Sequence, residues 1–345
     1  MTNKTLDLRL PAEWEDYKAV LLSWPHANTD WAYMLEEVQK TVCEIASEAV
    51  AAGLKVVIIA PDTSEPRSRL RDLGDNVLYF NVETNDTWTR DYGVITCKLP
   101  DGRSVLCDFK FNGWGLKFAS DRDNLVTVNM YGSHLLEGEY VNHLGFVLEG
   151  GSIESDGQGT ILTTSRCLES LNRNGNLDRD GIERYLSSAL GVSRFLWLDY
   201  GYLAGDDTDS HIDTLARLVA KDTIVYIKCD DADDEHYEQL KAMENQLKDF
   251  VTTDGLPYNL VGLPLPDPIF DEDGYRLPAT YANFLITPQA ILLPVYGQEK
   301  NDFLAIQIMQ VVFPDRKIVP VNCNSLIRQH GSLHCMTMQL YDIPL

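Results

Sequence analysis

Hydrophobic positions along this chain switch repeatedly between two spacings. From Asp30 to Gly53, Trp31, Met34, Leu35, Val38, Val42, Ile45 and Ala49 return every three or four residues, which places them on one face of a helix that Asp30 can cap and Gly53 can end. The unbroken apolar run Lys55–Ala60 follows and reads as a buried strand. A helix-like stretch around Glu65–Leu73 then leads into a strand-like Val77–Val82. Further on, the pattern predicts a strand at Thr223–Lys228, a helix at Asp233–Phe250 and a strand at Tyr258–Gly262. It resumes with a strand at Ala290–Val295, a helix at Asp302–Phe313 and a strand at Lys317–Val321. The Pro-rich piece Leu263–Pro268 is too short to divide the chain. The expectation is one α/β domain over residues 1–345, although no self-similarity shows in the letters.

Composition sharpens this picture only in part. Hydrophobic residues make up 44% of the 345, enough for a large core. Lys and Arg total 29 against 52 Asp and Glu, a net charge of −23. Nucleic acid is therefore excluded as the main partner, since phosphates call for clustered positive charge. A small cation would be drawn to such a field, although acidity can also serve solubility alone. No apolar run is long enough to cross a bilayer, and the polar stretch Met1 to Arg9 lacks the apolar core of a secretion signal, so a cytosolic protein is expected. Cysteines 43, 97, 107, 167, 229, 323 and 335 form no CxxC pair, and reduced thiols are the default.

Several motifs weaken on inspection. Asn176 to Gly181 resembles half of a calcium loop, but its twelfth position is Ser187, where a bidentate Glu is needed; a capped helix at Ile182–Leu190 fits better. The acidic run Asp230 to Glu235 suits the positive end of a following helix. The histidines form no HExxH and no zinc-finger spacing, and neither a P-loop nor a dinucleotide fingerprint is complete. Neither a metal nor a cofactor is expected.

Four segments carry chemistry: Asn85 to Gly93, Leu148 to Gly151, Gly205 to Leu215, and Gly331 to Thr337. If His211-Ile212-Asp213 is extended, its two polar residues share one face. If His334-Cys335 is extended, they face opposite ways, which leaves His211 as the natural base for the thiol. Taken singly, a buried histidine satisfied by an aspartate and a small core cysteine explain the same letters.

The ordered set Trp88-Thr-Arg90-Asp91-Tyr-Gly93, Phe111-Asn-Gly-Trp114-Gly115, Glu149-Gly-Gly151, Asp209-Ser-His211-Ile-Asp213 and His334-Cys335-Met-Thr337-Met-Gln339 resembles the agmatine deiminase and bacterial peptidylarginine deiminase family, within the pentein guanidine-modifying enzymes. The likeness begins at Leu10-Pro-Ala-Glu-Trp14. It implies a five-bladed α/β propeller with pseudo-fivefold symmetry and a central active-site cavity. It also implies that Cys335 attacks a guanidinium carbon, that Asp91 and Asp213 grip its nitrogens, that His211 serves as acid and base, and that Glu149 orients His211. Trp88 and Trp114 would line the substrate channel, Arg90 would orient Asp91, and Asn283 would support the site.

An acidic pocket suits agmatine, which carries a guanidinium and an ammonium. Another free guanidine or peptidylarginine remains an alternative, as do a Cys–His amide hydrolase and a non-catalytic polyamine binder. A homo-oligomer is left open. Gln329-His330-Gly331-Ser332-Leu333 stands where many agmatine deiminases carry Gly-Gly-Gly-Asn-Ile, so His330 should reshape the pocket.

Overall fold

Residues 7–344 are described in a computed structural model; most of the polar Met1 to Arg9 stretch lies outside them. The run Lys55–Ala60 is a strand over its whole predicted length, because Val56, Val57, Ile58 and Ile59 bury on both faces. The helix before it spans Leu35–Ala51, starting later than Asp30 would set it. Trp31 is the reason. Its buried indole donates to Thr87 Oγ1 at 2.8 Å, and its carbonyl accepts from the Met34 amide in a tight turn, so Met34 occupies the cap. The other predicted elements appear with shifted ends: helices Tyr237–Asp249 and Glu299–Val312, and strands Val77–Asn81, Asn259–Pro264 and Lys317–Asn322. Strands Thr223–Lys228 and Ala290–Val295 match their predicted bounds. The stretch predicted as one helix around Glu65–Leu73 divides into Ser64–Arg69 and a tighter turn, Arg71–Asn76. Asp178 accepts from the Gly181 amide and caps helix Arg179–Leu190, which explains the abortive calcium motif.

Among the described residues the strands form five small sheets of one plan. In each, a first strand pairs antiparallel with a second, which pairs parallel with a third. The first strands are Ile95–Lys98, Ile153–Ser155, Ala216–Ala220, Leu285–Ile286 and Met338–Leu340. The last of these pairs with Ala19–Ser23, so the two ends of the chain close one sheet, which Lys55–Ala60 and Val77–Asn81 complete. One buried apolar cluster runs from Leu10 to Ile343, and a second lies between Leu162 and Tyr258.

This plan positions the chemistry. Asp91, Glu149, Asp213, Asn283 and Cys335 each sit two to four residues ahead of the first strand of a different sheet. Five distant segments thereby deliver one polar side chain each from an equivalent place.

Candidate active site

Cys335 lies in a turn before strand Met338–Leu340, not in an extended segment. The turn is held from outside: Asn283 Oδ1 accepts from the amides of His334 at 2.9 Å and Cys335 at 3.3 Å, and its Nδ2 donates to the Asp213 carbonyl. Asn283 Oδ1 is also 3.4 Å from Cys335 Sγ, and Asp213 Oδ2 is 3.8 Å from it. The thiol is buried, and burial, then Asp213 and Asp91, push its pKa well above the ordinary thiol value.

His211 and Asp213 also depart from the extended reading. Ile212–Thr214 is a 3-10 turn, reached through left-handed Asp209 and Ser210 at φ 64°. Both side chains still reach one place, because Gly151 packs among them. A Cβ on Gly151 would fall 2.7 Å from His211 Nδ1, 2.8 Å from Asp91 Oδ1 and 3.1 Å from Asp213 Oδ2. Only a hydrogen fits where these polar atoms converge.

Asp91 is fixed by two donors. Trp114 Nε1 donates to Oδ2 at 2.8 Å and the Gly151 amide to Oδ1 at 3.1 Å. Trp114 thus orients a carboxylate as well as lining the cavity. Arg90 does not perform the task expected of it: its guanidinium donates to Gln339 Oε1 at 2.6 Å and lies against the His334 carbonyl, bracing the thiol turn. Burial raises the Asp91 pKa to about 6 against the opposing pull of His211. For His211, burial disfavours the charge, but Asp91, Cys167 and Glu149 outweigh it and raise the pKa to about 10. Asp91 Oδ1 is 3.5 Å from His211 Nδ1.

Glu149 is wholly buried, and both its oxygens accept from Arg173 Nε at 2.9 and 3.0 Å. It makes no hydrogen bond to His211 among the described residues. Instead Glu149, Cys167 and His211 bring ligand-type atoms within 4.8 Å of one another. A second such group joins Glu13, Glu154 and His334. Each group has a guanidinium beside it, Arg173 or Arg217, which offsets carboxylate charge there.

His334 holds Asp213 from behind. Its Nδ1 is 2.7 Å from Asp213 Oδ2 and its Nε2 is 2.7 Å from Glu13 Oε2, with Arg217 packed alongside. Burial would raise the Asp213 pKa, but the hydrogen bond from His334 and nearby positive charge lower it overall. Cys167, Arg173, Arg217, Glu13 and His334 were not assigned roles from sequence. Glu13 belongs to the motif Leu10-Pro-Ala-Glu-Trp14, whereas nothing near Arg173 in the letters distinguishes it from a surface arginine.

A cavity of about 410 Å³ opens onto the thiol, walled by Trp88, Asp91, Trp114, His330 and Cys335, with Asp30, Asp86 and Asp207 also in its lining. A cavity of about 520 Å³ lined by Glu13, Arg90, Glu154 and Gln339 does not include Cys335 in its wall, so the former is the candidate site. Among the described residues, Asp213 Oδ1 and both ring nitrogens of His211 are buried without a hydrogen-bond partner. Buried polar atoms left so cost about 1–3 kcal/mol each.

Comparison with known proteins adds the lineage. The family model for Porphyromonas-type peptidyl-arginine deiminase matches residues 9–340. A Marinomonas sp. protein provisionally named agmatine deiminase is 32% identical, over 98% of this chain and 96% of its own. A Porphyromonas gingivalis crystal structure provisionally named arginine deiminase shares 47% identity at TM-score 0.91, covering 96% of this chain and 98% of that one. Agmatine deiminase of C. jejuni, solved as a cysteine-to-serine variant with substrate bound, shares 37% identity at TM-score 0.90, covering 97% of both chains. Fold and site together define a hydrolase of the guanidine-modifying, pentein class. The chain belongs to the Porphyromonas-type peptidyl-arginine deiminase family.

Proposed function

We propose that this protein hydrolyses the guanidinium group of agmatine to N-carbamoylputrescine and ammonium, with Cys335 as nucleophile. The observation that carries this reading is the unsatisfied buried acceptor Asp213 Oδ1, beside a thiol and a second aspartate. A planar cation offers what such a cage lacks: several N–H donors in one plane and a compensating charge. The acidic lining at Asp30, Asp86 and Asp207 favours a substrate with a second positive charge, as agmatine has. The five sheets of one plan suit a pseudo-fivefold propeller, formed by a single domain, whose central cavity is this site.

The geometry supports the following chemistry. Asp91 and Asp213 fix the guanidinium plane, and its charge offsets theirs, so the Cys335 thiol can ionise. The thiolate forms an S–C bond to the guanidinium carbon. His211, held as imidazolium by Asp91, gives its proton to one nitrogen as the C–N bond breaks, and ammonia leaves. Neutral His211 then takes a proton from water, whose oxygen bonds the thiouronium carbon. Rupture of the S–C bond restores the thiolate and releases the ureido product, whose surplus proton passes to ammonia to give ammonium. Glu149 supports the positive state of His211 while Arg173 keeps the carboxylate in place.

The test is incubation of the purified protein with agmatine, arginine and a blocked arginine peptide, scoring ureido product and ammonium. Preference for agmatine is expected. Equal turnover of all three, or of none, refutes the assignment. The higher identity to a protein named for arginine makes free arginine the second reading, and the same assay separates the two.

A further inference from the structure

Cys167 is a buried thiol that the proposed chemistry does not use. It sits in the short helical turn Ser165–Leu168, and Thr164 ties that turn to the segment before His211. Thr164 Oγ1 accepts from the Cys167 amide at 3.4 Å and donates to the Ser210 carbonyl at 2.7 Å. His211 is held from its own side, its amide donating to Thr208 Oγ1 at 3.0 Å, and Glu149 is fixed by Arg173. Three separate supports thus bring a sulfur, an imidazole nitrogen and a carboxylate oxygen within 4.8 Å of one another, all on buried residues.

These are the three donor types that zinc takes, and three protein ligands leave it a fourth, open position. Zinc bonds of about 2.0–2.3 Å set tetrahedral ligands about 3.3–3.8 Å apart, so closing onto an ion needs a contraction of no more than about 1.5 Å. Both ring nitrogens of His211 are buried without a hydrogen-bond partner, so coordination breaks no bond at the imidazole. The group of Glu13, Glu154 and His334 differs, since both its ring nitrogens and both Glu154 oxygens are already engaged. Charge favours the same choice. Asp91, Asp213 and Glu149 surround His211; against them stand Arg173, which also serves Asp209, and His334 behind Asp213. A dication would enter a site rich in carboxylate, reached past Asp30, Asp86 and Asp207 at the cavity.

We infer that Glu149, Cys167 and His211 form an inhibitory site for zinc or a like borderline-soft divalent cation. Binding is a ligand exchange: Cys167 gives its thiol proton to solvent as the sulfur–metal bond forms, a ring nitrogen of His211 donates its lone pair, and water leaves the ion. An imidazole fixed on a metal no longer shuttles the proton that hydrolysis needs, so the loaded protein is inactive. The ion's hold is independent of the guanidine-hydrolysing reading, whereas the inhibition rests on it.

Cobalt(II) titrated into wild type, Cys335→Ser and Cys167→Ser tests this, because a thiolate on cobalt gives a charge-transfer band in the near ultraviolet. The band should appear at one ion per chain in wild type and Cys335→Ser and be lost in Cys167→Ser, whose zinc affinity, measured against a chromophoric chelator, should fall about tenfold or more. Should Cys167→Ser fail to fold by circular dichroism, His211→Ala in the Cys335→Ser background carries the test, and its zinc affinity should drop likewise. Loss of the band in Cys335→Ser would place the ion on the nucleophile and overturn the inference, as would a band in all three proteins or in none. Zinc should also slow agmatine hydrolysis by wild type about tenfold or more, reversibly on chelation. Undiminished turnover with zinc bound overturns the inhibitory role; a protein that holds cobalt through Cys167 yet hydrolyses no guanidine refutes the functional reading and leaves the metal site standing.

Discussion

Filling the cage with a guanidinium that cannot react should lower the pKa of Cys335. In the empty site Asp213 Oδ2 is 3.8 Å from the sulfur, and burial together with Asp213 and Asp91 holds the thiol neutral. One full charge at that separation contributes about 4 kcal/mol at an effective dielectric near 20, or about three pKa units. A bound cation offsets the two carboxylates, so saturation with a short alkylguanidinium should shift the ionisation of Cys335 down by about two to three units. The ultraviolet absorbance of the thiolate, followed against pH and referenced to Cys335→Ser to remove the other six cysteines, measures this without a reagent that competes for the site. Asp213→Asn should lower the Cys335 pKa in the absence of ligand and blunt the response to it. An unchanged midpoint at saturating ligand would refute the electrostatic argument, and with it the idea that the substrate generates its own nucleophile.

Three further outcomes follow from the geometry. Arg173→Leu leaves Glu149 as an unpaired buried charge and should cost about 3–5 kcal/mol in urea unfolding, with part regained in the Arg173→Leu/Glu149→Gln double variant. Gly151→Ala sets a methyl group 2.7 Å from His211 Nδ1 and should lower kcat/KM about a hundredfold, while unfolding free energy falls by no more than about 1–3 kcal/mol. Asp91, at about 6 in the folded protein against 3.8 in the free chain, makes stability pH-dependent. Well below pH 3.8 the group is protonated folded and unfolded and contributes nothing; as pH rises the unfolded chain ionises first, and above 6 the full penalty, about 3 kcal/mol, is present. Asp91→Asn should lack this segment of the pH–stability curve, and a parallel decline in both proteins would contradict the assigned burial cost.

Legibility in the sequence tracked how local each feature is. Lys55–Ala60 and Ala290–Val295 could be read because an apolar run bounded by polar letters is complete within itself. The helix start at Asp30 could not, because the bond that unwinds it comes from Thr87 in another segment. The five-sheet plan stayed hidden for the same reason. Its first strands are short, Leu285–Ile286 only two residues, and they are defined by their partners rather than by any periodicity of their own. The residues the ordered motifs named do come together, yet their supports were invisible. Arg173 is an ordinary arginine until the fold sets its guanidinium against Glu149. His334 illustrates the limit most sharply. Adjacency along an extended chain argues against it as the base for Cys335, whereas in the turn the segment forms, both its ring nitrogens are engaged, by Asp213 and by Glu13. Strand geometry therefore argued from a conformation that the segment does not adopt. What it could not supply was the positive role, since holding Asp213 in place requires a partner 121 positions away.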